Sequence, residues 1–362
     1  MGMMNNVILD SWTFQSVGEL FANGYDHERT GILVATDEAH EFIPIAHGEL
    51  QLQAVVDLLT HVVLRDTLIL DRQFIEAWEI HVDCFGPISD AGIVLAIAPL
   101  IEGQTLIEQR QRIVKELCVT ETLRAVQEEN ERTYGETQQA SRPYESQIIW
   151  GGAGMLARSA DRRLPYVGHP LRQRFIESTK AWRTPPDPTR RVIDLVNAHK
   201  AAIYSTIIGE DVGRRARLML PAVAAEVITR AEAPEQLFEV ALDLRDKYRK
   251  LRGWLGELRT ALEEEDTAKL IASERVLNAL AKDVARQTGK GGGEVASLDI
   301  AVNSMSTAST MTITSTISAL KDAYERRFTV RHDLLQLMKA PAGERALEKL
   351  GRMFGKEKGG CR

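Results

Sequence analysis

Apolar residues spaced alternately four and three apart form the strongest pattern in the chain. Leu237, Ala241, Leu244, Tyr248, Leu251, Leu255, Leu258 and Leu262 follow it without a break, which predicts a helical seam of the coiled-coil kind. Pro234 stands at its start, and Glu263-Glu264-Glu265-Asp266 interrupts it. Leu270, Leu277, Leu280 and Val284 then resume helical spacing up to Gly289. A break this short predicts that the chain folds back as an antiparallel helical hairpin over 234–288.

The N-terminal third mixes two periods. Val7-Ile8-Leu9 and Gly31 to Ala35 are short apolar runs that read as strands, and Glu41 to Ala46 can pair with the second across a polar connection. Leu52, Val55, Val56, Leu59, Val62 and Val63 recur at helical spacing, and Phe74, Ile75 and Trp78 suggest another helix. Gly92 to Ala98 fits a buried strand or a buried helix equally, and a long helix is expected from about Leu106 to Arg132. The middle is punctuated by Gly151-Gly152-Ala153-Gly154, Gly168-His169-Pro170 and Pro185-Pro186-Asp187-Pro188, which predicts loops joining short helices. Asp187-Pro188 reads as an N-cap followed by proline at the first helical position, starting a helix that runs to about Ile208. Pro221 is expected to bend or end the helix that follows. Gly289 to Gly293 reads as a linker, and Ser304 to Ser318 leans towards helix.

These elements make the chain α+β and predominantly helical. A small mixed α/β N-terminal domain is expected to precede an all-α C-terminal part with the long antiparallel helical hairpin. The expected boundaries are an acidic α+β domain over 1–145, a basic loop-rich connecting segment over 146–188, a helical domain over 189–355 and a flexible tail over 356–362.

Charge sharpens that division. The overall balance of −6 hides a net of −15 over residues 1–141, +7 over 142–217 and +2 over 218–362. Either the middle binds anions or the acidic part packs against the basic one. Cys84, Cys118 and Cys361 include no CxxC pair, so a disulfide framework and a cysteine zinc site are not expected, and a reducing, cytoplasmic setting is. The opening residues lack a basic stretch followed by an apolar one, and no apolar run approaches the roughly 20 residues that span a bilayer. No membrane association is expected.

The candidate chemistry centres on the basic middle. Arg158, Arg162, Arg163, Arg172 and Arg174 surround Tyr166 and His169. Arginine forks suit phosphate and carboxylate, and aromatic rings stack on bases; the competing reading pairs these arginines with the acidic N-terminal part. Val7-Ile8-Leu9-Asp10-Ser11 resembles the opening strand and aspartate of PIN-domain nucleases, a likeness of five residues that implies carboxylates holding a divalent metal. Helix capping or a turn is the alternative role for Asp10. Asp37, Glu38, His40, Glu41 and His47 match no metal-ligand spacing and read as a polar turn. Gly151 to Gly154 follows an apolar run as a phosphate cradle can, yet fits neither GxGxxG nor GxxxxGK[ST]. No GxSxG elbow, cysteine–histidine arrangement or kinase motif set is present.

The expectation is therefore a non-catalytic interaction protein within a larger assembly, with a protein partner or a second copy of itself and no assigned cofactor. The alternative is nucleic-acid or nucleotide binding through the basic segment, with metal-dependent hydrolysis by N-terminal carboxylates.

Overall fold

In the computed structural model the described residues are 5–35, 40–72, 83–97, 101, 103–121, 123–125, 128, 144–179, 185, 187–208, 221–288, 329–337 and 343–355. The second helix of the N-terminal third, the linker after Gly289, the serine- and threonine-rich stretch and the tail lie outside them, as does the start of the helix before Pro221. The described chain is mostly helical with a small parallel sheet, and it falls into two compact units.

The first unit is Asn6–Pro185 with Ala233–Phe238 and Leu350–Arg362. Its elements are β1 (Asn6–Leu9), α1 (Ser11–Asn23), β2 (Arg29–Ala35), β3 (His40–Ala46), α2 (His47–Leu64), β4 (Thr67–Asp71), α3 (Gly86–Asp90), β5 (Val94–Ile97), α4 (Gly103–Leu117), α5 (Tyr144–Arg162), β6 (Tyr166–Val167) and α6 (Pro170–Thr179). The order of the four-stranded sheet is β5-β4-β1-β6, and every pairing in it is parallel. Val7, Ile8 and Leu9 are all buried, as are Leu68, Ile69 and Leu70. A strand apolar on both faces is what a parallel sheet covered on both sides requires. Ile8 and Ile69 join Ile113, Ile148, Ile149, Leu156, Leu171 and Phe175 in one core, which ties the sheet to α4, α5 and α6. Phe14, Phe21, Phe85, Phe238 and Phe354 form a second, aromatic contact group.

The antiparallel pair β2–β3 has Arg29 opposite Ala46 and Ala35 opposite His40, the pairing that the apolar runs predict. Of the run that begins at Gly92, Val94–Ile97 is strand β5, with Gly92 in the left-handed region at φ 67°. Three elements differ from expectation. The run Thr67 to Leu70 is a strand immediately after a long helix. The helix expected to reach Arg132 stops at Leu117, three residues before Thr120, whose hydroxyl accepts from Leu123 N–H at 3.4 Å. The glycine-punctuated segment expected as loop is continuous helix α5.

The second unit is Met1–Asn5, Pro186–Glu232 and Glu239–Lys349. It contains α7 (Pro188–Ile208), α8 (Ala222–Arg230), most of α9 (Leu237–Lys247), α10 (Arg249–Glu263), α11 (Thr267–Thr288) and helical residues 329–337; α12 (Gly343–Phe354) ends the described chain. Asp187 caps α7 as predicted, its Oδ1 accepting from Arg190 N–H at 3.1 Å. Pro221 precedes α8 as its N-cap. Asp266 caps α11, accepting from Lys269 N–H at 3.1 Å, and Glu265 makes the turn with φ 54°. Leu237, Ala241, Leu244, Tyr248, Leu251, Leu255 and Leu258 are at most 1% exposed, while Leu262 is partly exposed. The seam is buried within one chain. Its helix is divided at Tyr248, whose hydroxyl donates to Glu226 Oε2 at 2.6 Å.

Candidate functional site

Parallel α/β sheets bind ligands beyond the carboxyl ends of their strands, where the chain reverses the direction in which it adds strands. Here that point is β1, with β4 on one side and β6 on the other. Asp10 follows β1 directly, Asp71 ends β4, and Gly168-His169 follows β6. The register Asn6–Thr67, Val7–Leu68, Ile8–Ile69, carried two residues further, sets Asp10 level with Asp71.

Asp10 is fully buried and accepts four hydrogen bonds. Its Oδ1 takes Trp12 N–H at 3.0 Å and Arg172 Nη1 at 2.6 Å. Its Oδ2 takes the Tyr166 hydroxyl and His169 N–H, the latter at 3.1 Å. The Trp12 bond is the helix cap of α1. Burial alone would raise the carboxyl pKa, but the Arg172 charge, the Tyr166 hydrogen bond and His169 outweigh it and hold the group below its ordinary value. Burial and the neighbouring Asp10 charge push Tyr166 well above its ordinary value, so it remains a donor. Four donors fill the acceptor capacity of an ionised carboxylate.

Arg172 reaches Asp10 across the face of Trp12, its Cζ 4.8 Å from the ring centroid, and Trp12 stacks on His169 at 4.4 Å. Its guanidinium lies against Gly151, where a Cβ would be 2.0 Å from Nη2. At Gly154 a Cβ would be 2.6 Å from Nη2 of Arg110, whose guanidinium sits 4.8 Å above Trp150. The Gly-Gly-Ala-Gly run thus admits arginine side chains against a helix; it is not a phosphate-binding turn. Arg158, on the same helix, donates to Asp71 Oδ2 at 2.6 Å and to Gly154 O at 3.0 Å, with both charged partners buried.

Two familiar chemistries can be tested on this geometry. Ser16, His169 and Asp10 contain the residue types of a nucleophilic triad, with His169 Nε2 3.1 Å from Ser16 Oγ. Asp10, however, takes the main-chain N–H of His169 rather than its ring, and the ring Nδ1 accepts from Leu171 N–H at 3.4 Å. Burial first, then Arg172, lowers the His169 pKa to about 3 against the pull of Asp10. A base this weak, sealed from solvent, does not activate serine. A divalent metal of the kind implied by the PIN likeness also does not fit. Asp10 has no acceptor position left, Asp71 is held by Arg158, and no group of three or more histidine, cysteine or acidic residues converges among the described residues.

The six residues singled out for anion binding take different environments. Arg158, His169 and Arg172 are buried in the network just described. Arg174 donates to Gln53 Oε1 at 3.0 Å from a half-buried position. Arg162 and Arg163 are exposed at the end of α5, Arg162 being 3.6 Å from Asp161 and Arg163 having φ 52°. In the sequence Asp71 is one acid among Glu49, Asp57 and Asp66 with nothing to single it out, and the glycines read there as loop formers rather than helix residues. For the glycines the cue was spacing: Gly151, Gly154 and Arg158 share one helix face at steps of three and four. Among the described residues no helix is long and apolar enough to cross a membrane. No protein family, curated protein or solved structure matches the chain.

Proposed function

We propose that this chain is a non-catalytic interaction protein that serves as a component of a larger assembly and engages a protein partner. The observation that carries this reading is the saturation of Asp10 and the pairing of Asp71 with Arg158. At the sheet edge where α/β proteins hold ligands, the two carboxylates are consumed in joining β1 and β4 to α5 and α6. The helical unit supports the same reading. In it, the apolar seam along α9 and α10 is buried in the chain's own core, and on this reading the helices of 234–288 make an antiparallel hairpin. Arg249, Lys250, Glu257, Glu263, Lys269, Glu274 and Arg275 remain exposed on its outside, a mixed-charge surface of the kind that selects a partner by complementarity.

The alternative, nucleic-acid or nucleotide binding through the basic segment, retains Arg162 and Arg163 as its exposed arginines. Fluorescence anisotropy of labelled single- and double-stranded oligonucleotides over several salt concentrations decides between the two. The interaction reading expects no salt-dependent binding. Binding that weakens steeply with salt and disappears in Arg162→Glu/Arg163→Glu would replace it. Turnover of a defined substrate by the purified protein, abolished by a point substitution that leaves melting unchanged, would also end it. In-cell cross-linking followed by reconstitution of a stable complex from purified components is the positive test.

A further inference from the structure

The β2–β3 hairpin is closed at its root by a compact set of groups that the network around Asp10 does not use. β3 ends at Ala46 and α2 begins at His47 with no residue between them. His47 N–H donates to Glu28 O at 2.6 Å, Gly48 N–H donates to Asp26 O at 2.8 Å, and Asp26 Oδ1 accepts from Glu28 N–H at 2.8 Å. The approach is close enough that a Cβ on Gly48 would lie 2.5 Å from Asp26 O. The His47 ring stands 4.0 Å from Glu19 Oε2 on α1, and both side chains are partly open to solvent. We propose that this root is a proton-operated fastening, in which protonated His47 holds the hairpin against α1 and α2 and its neutral form loosens it.

The charges around the ring decide the direction. Glu19 faces it from α1, with Asp26 and Glu28 on the loop that enters β2. Tyr25 and His27 lie on that same loop with ring centroids 4.7 Å apart, and Glu49 on α2 acts on Tyr25. His169, ahead of α6, is neutral, and Arg29 is the register partner of Ala46. Gln15 and Gln51 donate amide hydrogens to Glu19 at 2.9 and 3.5 Å. Glu19 therefore stands beside the imidazole, and Asp26 and Glu28 add negative charge from the loop. The Glu19 carboxylate 4.0 Å away, opposed by partial burial and aided by the charges of Asp26 and Glu28, raises the His47 pKa above its ordinary value. A histidine raised in the fold contributes stability that is complete below its unfolded value. That stability is lost as pH rises through the folded value. β2 packs on α6, so loosening the root also weakens that contact.

Hydrogen exchange of the whole protein, corrected for intrinsic rates, tests this between about pH 6 and pH 8. Protection of the β2 and β3 amides should fall about two- to five-fold over that range, the ratio a partly exposed ion pair supports, while β1 and β4 amides show no such fall. His47→Gln should leave hairpin protection at its alkaline level throughout. Equal protection across the range in the unaltered protein, or a dependence that survives in His47→Gln, would overturn the proposal. If His47→Gln disturbs the hairpin fold itself, Glu19→Gln is decisive: the loss should then begin at lower pH, and an unmoved midpoint would also overturn it.

Discussion

Gly151 and Arg172 occupy one space: a β-carbon on the glycine would lie 2.0 Å from the arginine's Nη2. The end of a long side chain ordinarily swings aside at little cost. This one cannot, because its guanidinium is buried, bonded to Asp10 and covered by Trp12. Gly151→Ala should therefore destabilise the fold by about 2–4 kcal/mol, combining overpacking with loss of a buried ion pair. Urea unfolding measures it. At Gly253, where a β-carbon meets nothing within 4 Å, the same substitution should be neutral or stabilising.

His169 makes the fold sensitive to mild acid. Its pKa falls from 6.5 to about 3 on folding, first through burial. The unfolded chain thus takes up a proton that the folded chain refuses. Stability should decline as pH drops below about 6.5, by several kcal/mol in all at about 1.4 kcal/mol per unit. Asp10 adds to the loss at still lower pH, because its lowered pKa gives stability that vanishes as pH falls through the folded value. His169→Gln should flatten the slope between about pH 6.5 and pH 4 while leaving the more acidic limb.

Asp333 acts in the opposite sense. It is buried in residues 329–337, and burial raises its pKa despite His332, Lys247 and Lys250. Its ionised form therefore opposes folding, and the stability lost as pH rises through the raised value is recovered in acid. Asp333→Asn should raise the melting temperature at neutral pH, by the equivalent of about 1 kcal/mol, with the gain shrinking in acid.

The heptad seam is internal. Leu251 and Leu255 are each 1% exposed in the single chain. Leu251→Asp should cost roughly 3–5 kcal/mol by burying an unpaired charge. Sedimentation should show any folded fraction in the same oligomeric state as the unaltered protein.

The parts of this fold legible in the sequence are those governed by local rules. The seam, the Asp187-Pro188 helix start, the acidic break at Glu263 to Asp266 and the β2–β3 pairing all follow from spacing, capping and turn chemistry within a few residues. β4 escaped notice because Thr67-Leu68-Ile69-Leu70 follows an apolar helix after only Arg65 and Asp66, and a strand buried on both faces shows no alternation. β6 is two residues long and exists because β1 offers it an edge. The glycines of α5 read as turn formers because the arginines that need them, Arg110 and Arg172, lie 44 and 21 positions from Gly154 and Gly151. Asp10 was recognisable as a cap, but its saturation required Arg172, Tyr166 and His169, more than 150 residues away, to converge on one carboxylate.

Whether the sheet edge is a structural lock is tested most directly by a double-mutant cycle on Asp10 and Arg172, read by urea unfolding. Asp10→Asn alone should cost about 3–5 kcal/mol, because it leaves the guanidinium buried without its counter-charge. Arg172→Met should be similarly damaging. The double variant should be less harmed than the two singles together, with a coupling of roughly 1–3 kcal/mol. Single variants that unfold like the unaltered protein, or costs that add to within about 0.5 kcal/mol, would contradict the lock and return these residues to the search for a ligand.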